Sequence, residues 1–246
     1  MYAIEAKGLT KKYKEKTAVD GLDLVVKEGE LFALLGVNGA GKTTTIRMLS
    51  CLSEPTKGEA FICSHSCKSE REAVKKLVGI SPQDTAVADN LSVQENLVMM
   101  CGIFGFDKEK TKKETDRMIS LFSMEEVKNS KAKTLSGGWK RKLSIAMALI
   151  CGPKVLFLDE PTLGLDVLAR RELWSIISGL KSKITIVLTT HYMEEAEQLA
   201  DRIAIMIDGK CVSLGTLSEL EEKTGEKGLE NAFVKIAEEH GKGAGV

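Results

Sequence analysis

The sequence lacks a long apolar run, a net charge and the two Cys or His pairs of a structural zinc site. Its most continuous apolar stretch, Leu143 to Leu158, is broken by Gly152, Pro153 and Lys154. Nowhere do roughly 18 uncharged apolar residues follow one another as a membrane-crossing helix requires. The chain is therefore not expected to cross a bilayer by itself. Its first residues, MYAIEAKGLTKKYKEK, lack the apolar core and small-residue cleavage site of a secretory leader, which points to a cytosolic location. The 35 Lys and Arg residues balance 35 Asp and Glu residues, removing the general electrostatic pull toward polyphosphate backbones or anionic lipid. No nucleic-acid partner is expected, although local basic patches stay open. The six cysteines are scattered except for Cys63-Ser-His-Ser-Cys67. Structural zinc usually takes four ligands, and no second Cys or His pair accompanies this one, so reduced thiols near a strand end are the plainer reading. No internal repeat or low-complexity block is present. With 246 residues, the chain is one large domain, or one domain with an inserted lobe.

What is there alternates. Ala3 to Leu9 and Val19 to Val26 read as strands, with a turn at Lys27 to Glu30. Leu31 to Leu35 is an uninterrupted apolar run of the kind buried on both faces of a parallel sheet. Leu77 to Ile80, Val155 to Leu158, Ile184 to Leu188 and Ile203 to Ile207 repeat that pattern, separated by helical spacing, which is the texture of an α/β fold. Residues 84–150 are rich in Lys, Glu and Met, with helical spacing and no convincing strand; they read as a helical lobe inserted in the sheet domain. Ile203 to Ile207, Asp208-Gly209 and Cys211 to Leu214 form a hairpin pattern closed by an Asp-Gly turn. The last thirty residues, with Gly225, Gly228, Gly241, Gly243 and Gly245, read as a surface helix with a frayed tail.

Three motifs carry chemistry. Gly36-Val-Asn-Gly-Ala-Gly41-Lys42-Thr43 matches G-x-x-x-x-G-K-[ST] and sits between a buried strand and a helical stretch, Thr44 to Leu52, as a phosphate-binding loop requires. Its glycines let the backbone curl so that successive amides and the helix N-terminus face a phosphate. Lys42 is placed to neutralise β- and γ-phosphate oxygens, and the Thr43 hydroxyl to bind Mg²⁺. The expected phosphate-loop residues are Gly36, Asn38, Gly39, Ala40, Gly41, Lys42, Thr43 and Thr44. The second motif follows Val155 to Leu158. Asp159 and Glu160 end that strand and Pro161 breaks it, which puts Asp159 at the carboxyl edge of the sheet, where it orients Mg²⁺ through water. Glu160 is then placed to polarise an attacking water. The adjacent Glu, with no D-x-x-G or N-K-x-D element in the expected places, argues against a GTPase. The third motif is Leu135-Ser136-Gly137-Gly138-Trp139, ahead of an amphipathic stretch with Trp139, Leu143, Met147 and Ile150. Ser136 is a good N-cap, and two glycines at a helix start leave bare amides, an anion site without a lysine. Taken alone, a plain helix cap is the stronger reading.

Together, the phosphate loop, the Leu-Ser-Gly-Gly element and Leu156-Phe-Leu-Asp-Glu-Pro161 resemble the ATP-binding cassette ATPases in order and spacing over nearly the whole chain. The resemblance implies an α/β fold: a P-loop NTPase core with a mainly parallel sheet (1–83 and 151–215), including an N-terminal antiparallel β subdomain. It also implies an inserted α-helical subdomain (84–150) and a C-terminal helical tail (216–246). It further implies ATP and Mg²⁺ as ligands and ATP hydrolysis as the activity. Tyr13 matches the aromatic that stacks on adenine, and Gln83 the glutamine that touches Mg²⁺ and the attacking water. Gly164-Leu165-Asp166 matches a loop that crosses to a second subunit, and His191 the histidine that contacts the γ-phosphate. Read alone, Tyr13 and His191 are ordinary packing residues. The implied catalytic set is Glu160, His191, Gln83 and Lys42; the implied metal set is Thr43, Gln83 and Asp159. Ser136, Gly137 and Gly138 would bind the nucleotide of a second cassette, in a homo- or heterodimer around two ATP. One departure stands out: the family's signature usually ends in Gln, and here it ends in Trp139, whose indole N–H needs a partner if buried.

The same resemblance implies a polytopic membrane permease docking on the helical subdomain. Ala86 to Phe106 holds Val98, Met99, Met100, Ile103, Phe104 and Phe106, an adaptable surface suited to that docking, though core packing explains any single residue equally well. The His191 to Asp201 run and Leu229 to Val234 look like the branch serving drug, lipid and antibiotic exporters, and the long extension of many sugar importers is missing. The alternative is a soluble cofactor-assembly or clamp-type ATPase of the same family. A nucleotide kinase would leave the signature helix without a role.

Overall fold

The computed structural model describes residues 1–241; Gly243 and Gly245 of the expected tail lie outside the described residues. Strands β1 (Tyr2–Tyr13) and β2 (Lys16–Lys27) bury alternate residues over much of their length, including Ile4, Leu22, Leu24 and Val26, the pattern of a sheet with one wet face. They pair antiparallel. Strand β3 (Leu31–Leu35) is buried at all five positions. Helix α1 (Lys42–Leu49) leads to β4 (Lys57–Ile62) and β5 (His65–Ser66), which complete a four-stranded sheet in the order β2-β1-β4-β5. Next come α2 (Arg71–Leu77) and β6 (Val78–Ser81), then α3 (Val93–Ile103), α4 (Lys108–Leu121) and α5 (Gly137–Leu149). The chain returns through β7 (Val155–Asp159), α6 (Val167–Leu180), β8 (Thr185–Thr190), α7 (Met193–Leu199) and the hairpin β9 (Arg202–Ile207) to β10 (Lys210–Gly215). A second sheet runs β10-β9-β3-β8-β7-β6, parallel except for the β9–β10 pair. Asp208 and Gly209 close that hairpin with positive φ at both.

Period-two alternation along β3 divides the interior. Leu31, Ala33 and Leu35 join the apolar cluster on the helical side, whereas Phe32 and Leu34 join the cluster shared with the antiparallel sheet. The phosphate loop therefore leaves a strand clamped from both faces. Among the described residues, 84–150 contain α3, α4, α5 and two short 3₁₀ turns, and their only extended pairing is an isolated bridge between Ser92 and Lys131. Helix α3 starts from a Ser92–Glu95 capping box and buries Val93, Leu97 and Cys101, one residue per turn.

Several local expectations shift. The helix expected over Thr44 to Leu52 occupies Lys42–Leu49, because the chain enters it through Gly41 at φ 101° and Cys51, at φ 60°, carries it out. Strands β4 and β5 were not legible: one has Gly58 as its second residue, and the other is two residues long. The expected surface helix is two helices, α8 (Leu217–Thr224) and α9 (Leu229–Glu239), separated by left-handed Gly225 and by Gly228. Helix α9 is no mere surface element: Leu229, Ala232, Phe233 and Ile236 are buried in the main cluster. Their i, i+3, i+4, i+7 spacing makes one apolar stripe.

Candidate active site

The loop between β3 and α1 is shaped by glycine where the chain has no room for a side chain. Gly41 has φ 101°, and a Cβ there would overlap the Ala18 carbonyl; one on Gly36 would overlap the Met206 carbonyl. Both residues lie against neighbouring backbone, which a larger residue would push away. Gly41 supplies no side-chain cap to α1, so the first amides of that helix remain donors for an anion. Lys42 folds back over the loop. Its ammonium donates to the carbonyls of Gly36 at 2.7 Å and Val37 at 3.3 Å, and stands 3.2 Å from Glu160 Oε1.

Across the sheet edge, Asp159 ends β7 and Glu160 follows it, each with its own partners. Asp159 Oδ1 accepts hydrogen bonds from the hydroxyls of Thr43 and Thr189. Glu160 has φ 50°, a conformation that costs a non-glycine residue about 1–2 kcal/mol. Its N–H donates to the Thr189 carbonyl and hydroxyl, which pins the turn. The Glu160 carboxylate thereby reaches Lys42 on one oxygen and His191 Nδ1, at 2.8 Å, on the other. With Glu160 ionised, Nδ1 carries the proton. Lys42, Glu160 and His191 form one line of paired polar groups at the mouth of the phosphate loop.

This mouth opens into a pocket of about 580 Å³. Of the residues singled out in the sequence, it brings together Tyr13, Asn38, Gly39, Ala40, Gly41, Lys42, Thr43, Thr44, Gln83, Glu160 and His191. Gly36 and Asp159 support it from behind. Lys16, Ala18 and Leu163 also line it and were missed. The β1–β2 register pairs Tyr13 with Lys16, and reading the second strand from Lys16 instead of Val19 would have found both Lys16 and Ala18. Tyr13 is half-exposed, with the Lys11 ammonium 5.1 Å from its ring centroid. Among the described residues no group of three or more His, Cys, Asp or Glu is placed to hold a metal ion. Thr43 and Asp159, 3.0 Å apart, nevertheless offer the hard oxygen pair that suits Mg²⁺, which commonly takes only one or two protein ligands and completes its shell with phosphate and water.

Ser136, Gly137 and Gly138 do not line this pocket. They begin α5, where the Ser136 hydroxyl accepts weakly from the Trp139 amide at 3.4 Å. Trp139 is partly buried against the main cluster, with the Lys142 ammonium 4.3 Å from its ring centroid. Lys142 is itself buried and paired with Glu172. Among the described residues the Trp139 indole N–H has no hydrogen-bond partner. Two buried charged residues near the site had no signal in the sequence reading. Arg141 donates to backbone carbonyls beside Gln83, and burial pulls its pKa down. Glu195, fully buried on α7, accepts from the Trp174 indole at 3.1 Å, and burial raises its pKa.

Residues 19–163 match the family model described as ABC transporter. The chain is 44% identical over 212 residues to the human phospholipid-transporting ATPase ABCA3, covering 86% of this chain and 12% of that protein. It is 41% identical over 228 residues to the daunorubicin/doxorubicin resistance ATP-binding protein DrrA of Streptomyces peucetius, covering 92% of this chain and 69% of that one. Among solved structures, the dimeric post-hydrolysis state of the ATP-binding cassette MJ0796 bound to ADP and Pi superposes with a TM-score of 0.79 at 26% identity, over 87% of this chain and 98% of that one.

Proposed function

Because the chain belongs to the ABC transporter family, we propose that it is an ATP-hydrolysing motor subunit that dimerises around two ATP and drives a separate membrane permease. The observation that carries this reading is the Lys42–Glu160–His191 line at the mouth of the phosphate loop. ATP entering the pocket brings phosphate oxygens that compete for Lys42. The ammonium exchanges Glu160 and the loop carbonyls for those oxygens, and Glu160 is left free to orient and deprotonate water, with His191 holding its second oxygen. Tyr13 offers a ring face to adenine. Thr43, Asp159 and Gln83 would hold Mg²⁺, which supplies charge neutralisation of the phosphates. Catalysis is mainly positioning and charge stabilisation of a loose phosphoryl transition state.

A second cassette accounts for the amides of Ser136, Gly137 and Gly138, which lie outside the chain's own pocket. Val167 and Leu168, just beyond Asp166, are 62% and 80% exposed, an apolar pair suited to cover by that partner. The MJ0796 cassette is a dimer with ADP and Pi, which agrees with this arrangement.

Among the described residues no helix is long and apolar enough to cross a membrane; in the motor reading the transport path belongs to the permease, and this chain works at the cytoplasmic face. An apolar groove of about 290 Å³ beside Gln83, lined by Leu52, Ile80, Pro82, Met100, Phe104 and Met147, fits an amphipathic helix of that permease. Phe104 is 38% exposed; Phe104→Asp is expected to abolish co-purification of the permease while the isolated chain keeps its ATPase rate within about twofold. Soluble partners alone in the wild-type pull-down would refute the motor reading. The phospholipid-transporting and drug-resistance relatives favour an exporter.

The indole at the signature gives a further expectation. Trp139→Gln restores the polar end that the family motif usually carries, and ATPase activity is expected to be unchanged or higher. A large loss in steady-state phosphate release would give the Lys142-packed indole a role of its own.

A further inference from the structure

Helix α5 is fastened to β6 along a single stripe. At the middle of β6, Gly79 has no room for a Cβ because the Ala148 carbonyl lies against it. At its end, Ser81 and Ser144 share a hydrogen bond of 2.9 Å between buried hydroxyls. Just beyond, the Arg141 guanidinium donates through Nη1 to the Pro82 carbonyl at 2.7 Å and through Nη2 to the Gln83 carbonyl at 2.6 Å. Residues 141, 144 and 148 follow the three- and four-residue spacing of one helix face. Arg141 is the last tie of that stripe and lies one turn from the Gly137 and Gly138 amides. It is 5% exposed, and a charge buried to that degree is costly unless paired. Asp84, Asp159, Glu160 and Glu195 supply the compensating negative field. A rigid two-pronged donor holds two successive carbonyls in a fixed relation, which a lysine ammonium on a flexible stem does not.

We propose that Arg141 is a positioning residue that locks the backbone of the Gln83 segment to the signature helix, so that displacement of Gln83 by bound nucleotide is delivered to the Ser136–Gly138 amides. This rests on the motor reading, which places Gln83 and those amides at two different ATP sites. The hydroxyl pair and the glycine contact fix how α5 lies on the core; the guanidinium fixes where the glutamine segment lies on α5. The link needs no movement of Gln83's own side chain, because its backbone is what Arg141 grips.

The test uses the full chain carrying Glu160→Gln, with and without Arg141→Lys, diluted until chromatography shows a monomer with ATP present as well as without it. Affinity for a fluorescent ATP analogue is measured beside hydrogen exchange of residues 136–140 with and without ATP. In the parent, ATP is expected to slow exchange in that segment at least fivefold. Arg141→Lys should keep ATP affinity within threefold and lose that response. Arg141→Gln, measured in the same way, covers the case in which the lysine variant misfolds, with thermal unfolding close to the parent's as the criterion of folding. An Arg141→Lys chain that responds like the parent, a parent that shows no response while binding ATP, or affinity falling tenfold along with the response would each overturn the link. A parent that binds no ATP overturns the motor reading, and the link with it.

Discussion

Glu160→Gln is expected to lower ATP turnover by roughly 10²–10⁴-fold, the usual contribution of a positioned general base, while leaving ATP bound. The substitution keeps the shape of the side chain and a carbonyl oxygen for Lys42, so the pocket should hold its form. It removes the group able to take a proton from water, and with it the negative charge that faces the incoming phosphates. Affinity for ATP should therefore be equal or higher, and the chain should accumulate as an ATP-dependent dimer. Phosphate release and size-exclusion chromatography with and without ATP check both halves. Near-normal turnover in the variant would remove Glu160 from the role of base.

Lys42→Met attacks the same site from the opposite side. The ammonium is nearly buried and satisfies two loop carbonyls and Glu160 at once. Its replacement leaves those acceptors facing an apolar end, and phosphate loses a charge-assisted partner worth about 2–3 kcal/mol, which corresponds to a roughly 30- to 150-fold weaker ATP affinity. Titration with a fluorescent ATP analogue reads this directly, and denaturant unfolding of the variant should show a lower midpoint because Glu160 keeps only His191. The two substitutions are expected to separate: Glu160→Gln binds without turning over, and Lys42→Met fails at binding. Equal affinity in Lys42→Met and wild type would contradict the placement of phosphate at this loop.

The legible parts of the molecule were those in which one local constraint decides the outcome. Leu31 to Leu35 reads as a buried strand because all five residues are apolar. The loop after it reads from its glycines, because only glycine accepts φ 101° and a neighbour as close as the Ala18 carbonyl. Strands β4 and β5 escaped because a short antiparallel strand draws its stability from its partner more than from its own residues. The burial of α9 escaped for a related reason: its Leu229, Ala232, Phe233, Ile236 stripe announces an apolar face but not what covers it. Lys16 and Ala18 escaped through register, since pairing across a hairpin decides which residues stand beside Tyr13.

The sequence by itself determined the chemistry on offer: a glycine-shaped phosphate loop, a strand ending in two carboxylates, and a second set of bare amides at a helix start. Those depend on residue type at short spacing, where backbone conformation follows from the side chain. Only the tertiary structure decided which groups meet. Lys42, Glu160 and His191 are far apart in the chain and converge because parallel strands β3, β7 and β8 end at one edge. Arg141 grips the backbone of Pro82 and Gln83 because α5 lies along β6, about which the charge on an isolated arginine says nothing. Convergence of this kind follows from sheet order and helix packing, and these are set by burial summed over the whole chain rather than by any local run of residues.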